Sequence, residues 1–572
     1  MATRERLRRV RPGRWSLALL GLVLLAACAP APPVPAAQSA PGAAAQLPAA
    51  PKRLTAAILS DPKALGVEAG SAPGVDALRG LLHAGLANAD EQDALRPQLA
   101  EAVPSLENGL WVLLPDGRME TTWKIRPTAA WHDGTPFTSD DILFTAQVAQ
   151  DRQLAAFRDA AYQSIEAVEA PDPHTVLVRW KAPYINADQL FGNPLPRHLL
   201  GGAAQDEKAN FTRVAYWSQE FVGTGPFKLR EWVPGDHVLV EANDSYVLGR
   251  PQIDEIEVKL ILDGNTLIAN LLAGVVELPL GRTLSLDQAL AVRDQWRQGH
   301  VEVVARPGWS VIYPQFTYTS PPIVGDVRFR RALLYAIDRQ EQVDTLAYGL
   351  SAVADSMLPL NRAEYAAIKA RAPHYEYDPA RATRMIAELG YVKNGDGRFT
   401  DPAGQPLQVE IRTTGDNDAN VKVLNSVADY WRRAGVTVDP VLIPPQRQSD
   451  REYRATFPGF GIYRHPNDVT FLPRFTSAQV ATRENNWTGG DAGYHNPEYD
   501  ALYERYAKTV PVNERIELLG QLIAHLDDQA VTMGLFYDNL AALIGNRVAN
   551  VVVPQQYGAQ YVWSAHLWEL RS

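Results

Sequence analysis

One cysteine, Cys28, stands in a chain of 572 residues. A single thiol makes no intramolecular disulfide and is too few for a structural zinc site. Long apolar runs are equally scarce. The most pronounced, Trp15 to Ala27, is thirteen residues, whereas a membrane-spanning helix needs about 20. Missing as well are a GxxxxGK(S/T) phosphate loop, an HExxH zinc motif and a GxSxG nucleophile elbow. Ser, His and Asp are present, so a triad assembled in space keeps an exported hydrolase open as an alternative. Positive charge is in deficit: 55 Lys and Arg against 65 Asp and Glu give a formal charge of −10. That disfavours nucleic acid or anionic lipid as the main partner.

What is present begins at the amino terminus. Six arginines (Arg4, Arg6, Arg8, Arg9, Arg11, Arg14) precede the short apolar run, and small residues close it. That order is a secretory signal peptide, residues 1–27. Without those residues, which carry six Arg and one Glu, the formal charge moves from −10 to −15. Leu25-Ala26-Ala27-Cys28 resembles a bacterial lipobox, which implies cleavage before Cys28 and lipid on its sulfur. More than one acyl chain is needed for a stable hold on a membrane. Residues 28–51 are rich in Pro and Ala, and Ala29 to Ala50 carry no aromatic or charged side chain. They read as a tether, reaching up to about 70 Å as polyproline II. The expected location is the extracytoplasmic face of the cell membrane, or the periplasm.

About 520 residues remain, with 13 Trp and 22 Tyr in the whole chain, too many for one core and enough for two or three domains. Strand and helix signals alternate, which indicates an α/β class. "TTWKIRP" (121–127) and "IDEIEVKLIL" (253–262) read as strands. Asp378-Pro379 before "ARATRMIAEL", with Gly390 beyond it, marks a capped helix, as does Asn496-Pro497 before "EYDALYERYAKT". Asp338 with Glu341 predicts a capping box closed downstream by Gly349. "NGDGRFTDPAG" (394–404) lacks the first and twelfth ligands of a calcium loop and reads as a β-turn. Asp140 and Asp141 read as macrodipole complements at a helix start capped by Thr138 or Ser139, and His132 as a packing residue.

From about residue 78 to 550 the chain resembles the family 5 extracellular solute-binding proteins of ABC importers. The resemblance rests on motifs in order: "LLHAGLANAD" with "RPQLAEAVPSLENG", "TTWKIRPTAAWHDGTPFTSDDILFT", "GTGPFKLREWVPGDHVLVEANDSY", "DVRFRRALLYAIDR", "YDPARATRMIAELGY" and "NPEYDALYERY". It implies a two-lobed periplasmic-binding-protein fold with an extra domain inserted in the first lobe. The expected limits are 52–82, 215–304 and 536–572 for the first lobe, 83–214 for the inserted domain and 305–535 for the second lobe. Gly223, Gly225 and Pro226 are expected to offer unusual backbone angles at an interdomain crossing.

Function on this resemblance is capture, without catalysis, of a peptide or peptide-like solute by hinge closure, followed by delivery to an ABC permease. The alternatives are a non-peptide solute (anionic, opine-like or oligosaccharide) and a transport-uncoupled receptor or chaperone. No cofactor or resident metal and no nucleic acid is expected, and the protein is expected to be a monomer.

The matching segments supply the candidate ligand residues. Trp309, Tyr313, Gln315 and Tyr318 lie in "RPGWSVIYPQFTYTSPP", where the family has a crossover strand; about half are expected to be core. Asp61 ends the first strand, and Trp487 lies in the variable part of the second lobe. In "FPGFGIYRHPNDVTFL" (457–472), Arg464 falls where the peptide binders of the family carry an acid that pairs with the ligand's amino group. A cation there reverses the preferred ligand charge. Arg464 and Tyr463 are therefore expected to hold an anionic or neutral solute together.

Overall fold

The computed structural model describes residues 50–65, 74–157, 160–281, 283–359, 362, 364–369, 371–415, 417–555 and 561–571. The signal peptide, Cys28 and nearly all of the tether lie outside the described residues.

Two five-stranded sheets carry the two lobes. The first runs in the order Leu278–Pro279, Arg53–Ile58, Glu255–Leu260, His237–Ala242 and Phe227–Val233. Arg53–Ile58 is parallel to both of its neighbours. The alternation expected for 253–262 appears in Glu255–Leu260, whose Ile256, Val258 and Leu260 are buried. The second sheet runs Thr437–Ile443, Gln408–Thr414, Phe460–His465, Gly299–Pro314 and Met533–Gly545. Gly299–Pro314 and Met533–Gly545 pair antiparallel along most of their length and form the crossing between the lobes. The register shifts between Arg306 and Trp309, a bulge that adds residues to one strand and bends it. A separate sheet of Trp111–Leu113, Met119–Lys124, Thr175–Trp180 and Ile165–Asp172 has its own core, with Trp123, Trp180 and Phe137 at its centre.

The second sheet is buried on both faces. Ile312, Phe460 and Ile462 pack with Val423, Val427 and Trp431 of the helix Asp418–Ala434. On the other face Trp309, Val311 and Tyr313 pack with Leu518, Leu522 and Leu526 of the helix Val512–Asp528. A period of two sends successive side chains of each strand to opposite layers, so neighbours in the chain face different surroundings.

The motif residues hold joints. His132 donates from Nε2 to the Gly225 carbonyl (3.1 Å) and accepts at Nδ1 from the Gly223 amide (3.1 Å). Gly223 and Gly225 are required by close approach: a Cβ at 223 would stand 1.9 Å from the Leu82 oxygen, and one at 225 would stand 2.4 Å from the His83 nitrogen. Neither has positive φ, so the expectation of unusual angles gives way to one of contact. Asp141 is buried and accepts from the amides of Thr138 and Arg197 (3.0 Å each) and from the Trp131 indole (3.2 Å). Burial raises its pKa against these bonds. It is a structural carboxylate. Arg330, also buried, donates to the carbonyls of Ala530, Val324 and Gln529.

Capping follows the sequence with one exception. Asp378 accepts from the Arg381 amide, and Asn496 from those of Glu498 and Tyr499. Asp338 caps Arg339–Leu346, but the Glu341 carboxylate bonds to the Tyr430 hydroxyl instead of completing a box. Residues 394–398 are a hairpin turn, with Asn394 Oδ1 accepting from the amides of Asp396 and Arg398 (3.0 Å each); the strand Phe399–Thr400 and a second turn at Asp401 follow.

Candidate ligand-binding cleft

A cavity of about 790 Å³ opens beside the crossing strands and is lined from both sheets' helices. The first-lobe side gives Thr283 to Gln288, at the capped start of the helix Leu286–Arg293. The other side gives Asn417 to Ala419, Lys422 and Val423 of the helix Asp418–Ala434. Ser310, Arg464 and Phe536 to Ala541 form the wall between them. Across the mouth Lys422 Nζ meets Asp287 Oδ2 at 3.0 Å. Burial raises the Asp287 pKa, and bonds from Lys422 and Tyr348 outweigh it, leaving the carboxyl below its usual value.

Two charges meet inside the cavity. The Arg464 guanidinium, on the strand Phe460–His465, contacts the carboxylate of Asp538, on the second crossing strand. Asp538 is 4% exposed. Ser310 lies opposite Arg464 in one register and opposite Phe536 in the other. Its Oγ is buried and has no hydrogen-bond partner among the described residues.

The other face of the same strand differs in kind. Tyr463 and His465 stack with ring centroids 5.2 Å apart and planes within 3°. Tyr313 O–H lies 3.3 Å from His465 Nδ1, and Phe471 and Phe475 close the cluster. The space left is about 20 Å³, room for about one water. Burial, then the charges of Arg474 and Arg454, pushes the His465 pKa down to about 3. A further cavity of about 310 Å³ is walled by Phe157, Tyr162, Phe191, Trp217 and Phe221 with Arg79 and His83.

Residues 94–482, more than half of the chain, match the model of the bacterial extracellular solute-binding proteins, family 5. The chain belongs to this family. Among similar proteins, the oligopeptide-binding protein AppA of Bacillus subtilis is 26% identical over 81% of this chain and 82% of its own. The solved oligopeptide-binding protein of Thermus thermophilus, complexed with a pentapeptide, has a TM-score of 0.68 at 20% identity, covering 91% of this chain and 96% of that one. NikA of Brucella suis, in complex with Fe(III)-EDTA, has a TM-score of 0.73 at 20% identity, covering 91% and 100%. The fold is the two-lobed fold of these proteins, and this family 5 protein is a solute-binding protein, not an enzyme.

The candidate residues separate once placed. Arg464 lines the large cavity, while Tyr463, one residue earlier, points into the aromatic cluster. Strand alternation therefore prevents the two from gripping one solute together. Nor is the Arg464 charge open to an anion, because Asp538 already matches it. Trp309 is fully buried core. Tyr313 belongs to the aromatic cluster. Gln315 is a loop clamp: Nε2 donates to the carbonyls of Ala455 and Asp491, and Oε1 accepts from the amides of Phe316 (3.1 Å) and Thr317 (2.9 Å). Tyr318 and Trp487 form a ring pair 6.4 Å apart at the surface. Asp61 pairs with Lys63, accepts from the Gly235 amide at 3.2 Å and is not in the wall of the large cavity.

Asp538, Ser310, Asp287 and Lys422 were not legible as site residues. Asp538 had one usable signal, a lone acid inside the apolar strand "MGLFYDNLAALIG", since an acid in such a run is rarely buried without a partner.

Proposed function

We propose that the protein captures a peptide or peptide-like solute in the 790 Å³ cavity and closes on it. The closed form is then what an ABC permease accepts. The observation that carries this reading is a cavity walled from both lobes whose mouth is bridged by Lys422 and Asp287. A ligand there gains contacts from both lobes only when they are together, so binding shifts the population to the closed form. The lobes are read as 52–82 with 215–304 and 536–572, and as 305–535, with 83–214 inserted. The protein is read as a monomer held by lipid at Cys28 on the extracytoplasmic face. Family relatives named for oligopeptides support the peptide reading.

A second reading is favoured by one observation. Arg464 stands where the resemblance implies an acid for a peptide's amino group, which suits a non-peptide solute. Native mass spectrometry of the purified protein, followed by denaturation to release bound molecules, separates the two. A mixture of short peptides supports the first; a single sugar-like or chelate mass supports the second. A protein that neither carries nor closes on any solute, by small-angle scattering, defeats both.

A further inference from the structure

We infer that the Arg464–Asp538 pair is a charge filter that restricts the interlobe cavity to solutes of no net charge. The inference rests on the reading of that cavity as the ligand site.

The pair joins two strands that the sequence holds far apart, and both members line the same cavity. Asp538 is almost wholly withdrawn from water, and the Arg464 side chain is 23% exposed. An anion that drew Arg464 to itself would leave a buried carboxylate uncompensated. A cation that drew Asp538 would leave the partly exposed guanidinium without its partner, at a smaller cost. Stripping one partner from a buried pair is strongly unfavourable, whereas satisfying both or disturbing neither is not. A zwitterion can address both halves, and an uncharged solute can leave them joined. A solute with net charge can do neither, so discrimination comes from the penalty on the wrong ligand.

The surroundings agree. Gly308 presents no side chain beside Asp538, where a Cβ would stand 3.3 Å from the Asp538 Cβ and 3.4 Å from Oδ2. The remaining charges of the wall are also matched. Lys422 pairs with Asp287, and Asp418 lies in the first turn of a seventeen-residue helix, whose positive end offsets it. Ser310, another residue of the wall, adds a hydroxyl and no charge.

The test uses citrate and spermidine as probes, titrated calorimetrically into the whole protein. Asp538→Asn is expected to bind citrate at least tenfold more tightly than wild type, and Arg464→Gln to do the same for spermidine. The double variant is expected to gain neither. Equal citrate affinity for wild type and Asp538→Asn overturns the filter. Should a single variant fail to fold, wild type decides: a melting temperature raised by several degrees with citrate or spermidine overturns it, and no rise supports it. Failure here is distinct from failure of the solute-binding reading, which turns on a carried solute and on lobe closure.

Discussion

Gln315 shows how a polar residue in a family's ligand segment can be fully absorbed by architecture. Its amide serves the main chain of three segments at once and is buried. Replacement by leucine leaves several buried amides and carbonyls without partners, each worth about 1–3 kcal/mol. Gln315→Leu is therefore expected to lose about 2 kcal/mol or more by urea denaturation while keeping its ligand affinity. A fall in affinity at unchanged stability would return Gln315 to the ligand site. Arg330 follows the same logic, since its charge is spent on three carbonyls and not on a solute. The type of residue was legible in the sequence, but the direction of its side chain was not.

At the scale of elements, the contact between the segment around His132 and the Gly223–Gly225 stretch uses a neutral imidazole. His132 accepts at Nδ1 and donates at Nε2, which fits only the uncharged ring. Burial pushes its pKa down to about 4, with Lys228 adding to the shift against the Gly225 bond. An unfolded histidine titrates near 6.5. As pH falls from about 6.5 towards 4 the unfolded chain takes up the proton and the folded one does not. The stabilisation from this ring is complete above that window and is lost on descending it. The stability gap between wild type and His132→Gln, measured by urea midpoints at pH 7, 5.5 and 4, is expected to shrink with falling pH. A gap that stays constant contradicts this. Elements themselves were well marked in the sequence. Caps such as Asp378 and Asn496 are local hydrogen bonds, and local chemistry suffices to place them. Glu341 escaped because Tyr430, distant in sequence, competes for its carboxylate.

For the whole molecule the contacts of interest are ion pairs between segments far apart in the chain. Lys422 and Asp287 pair in the wall of the large cavity, and Arg362 reaches Asp93 at 3.0 Å. Lys422 and Asp287 are about half exposed, so their pair contributes only about 0.5 kcal/mol to folding. It can still bias an equilibrium between two nearly balanced forms. Lys422→Ala is expected to leave the melting temperature almost unchanged. The radius of gyration of the ligand-free protein is expected to rise in small-angle scattering, with ligand affinity falling severalfold. An unchanged radius would show that the bridge does not hold the closed form.

The sequence by itself determined the family, the α/β class and most helix starts, because these rest on motifs in order, on period and on local caps. It also placed Arg464 at a position of consequence. Only the tertiary structure decided what that arginine does. Whether a charge is open to a ligand depends on what folds against it, and Asp538 arrives from a strand across the sheet. Likewise Tyr463 and Arg464, neighbours in the chain, part company because a strand sends them to opposite faces. Pairing across a sheet is a non-local event, and no composition or spacing within one segment records it.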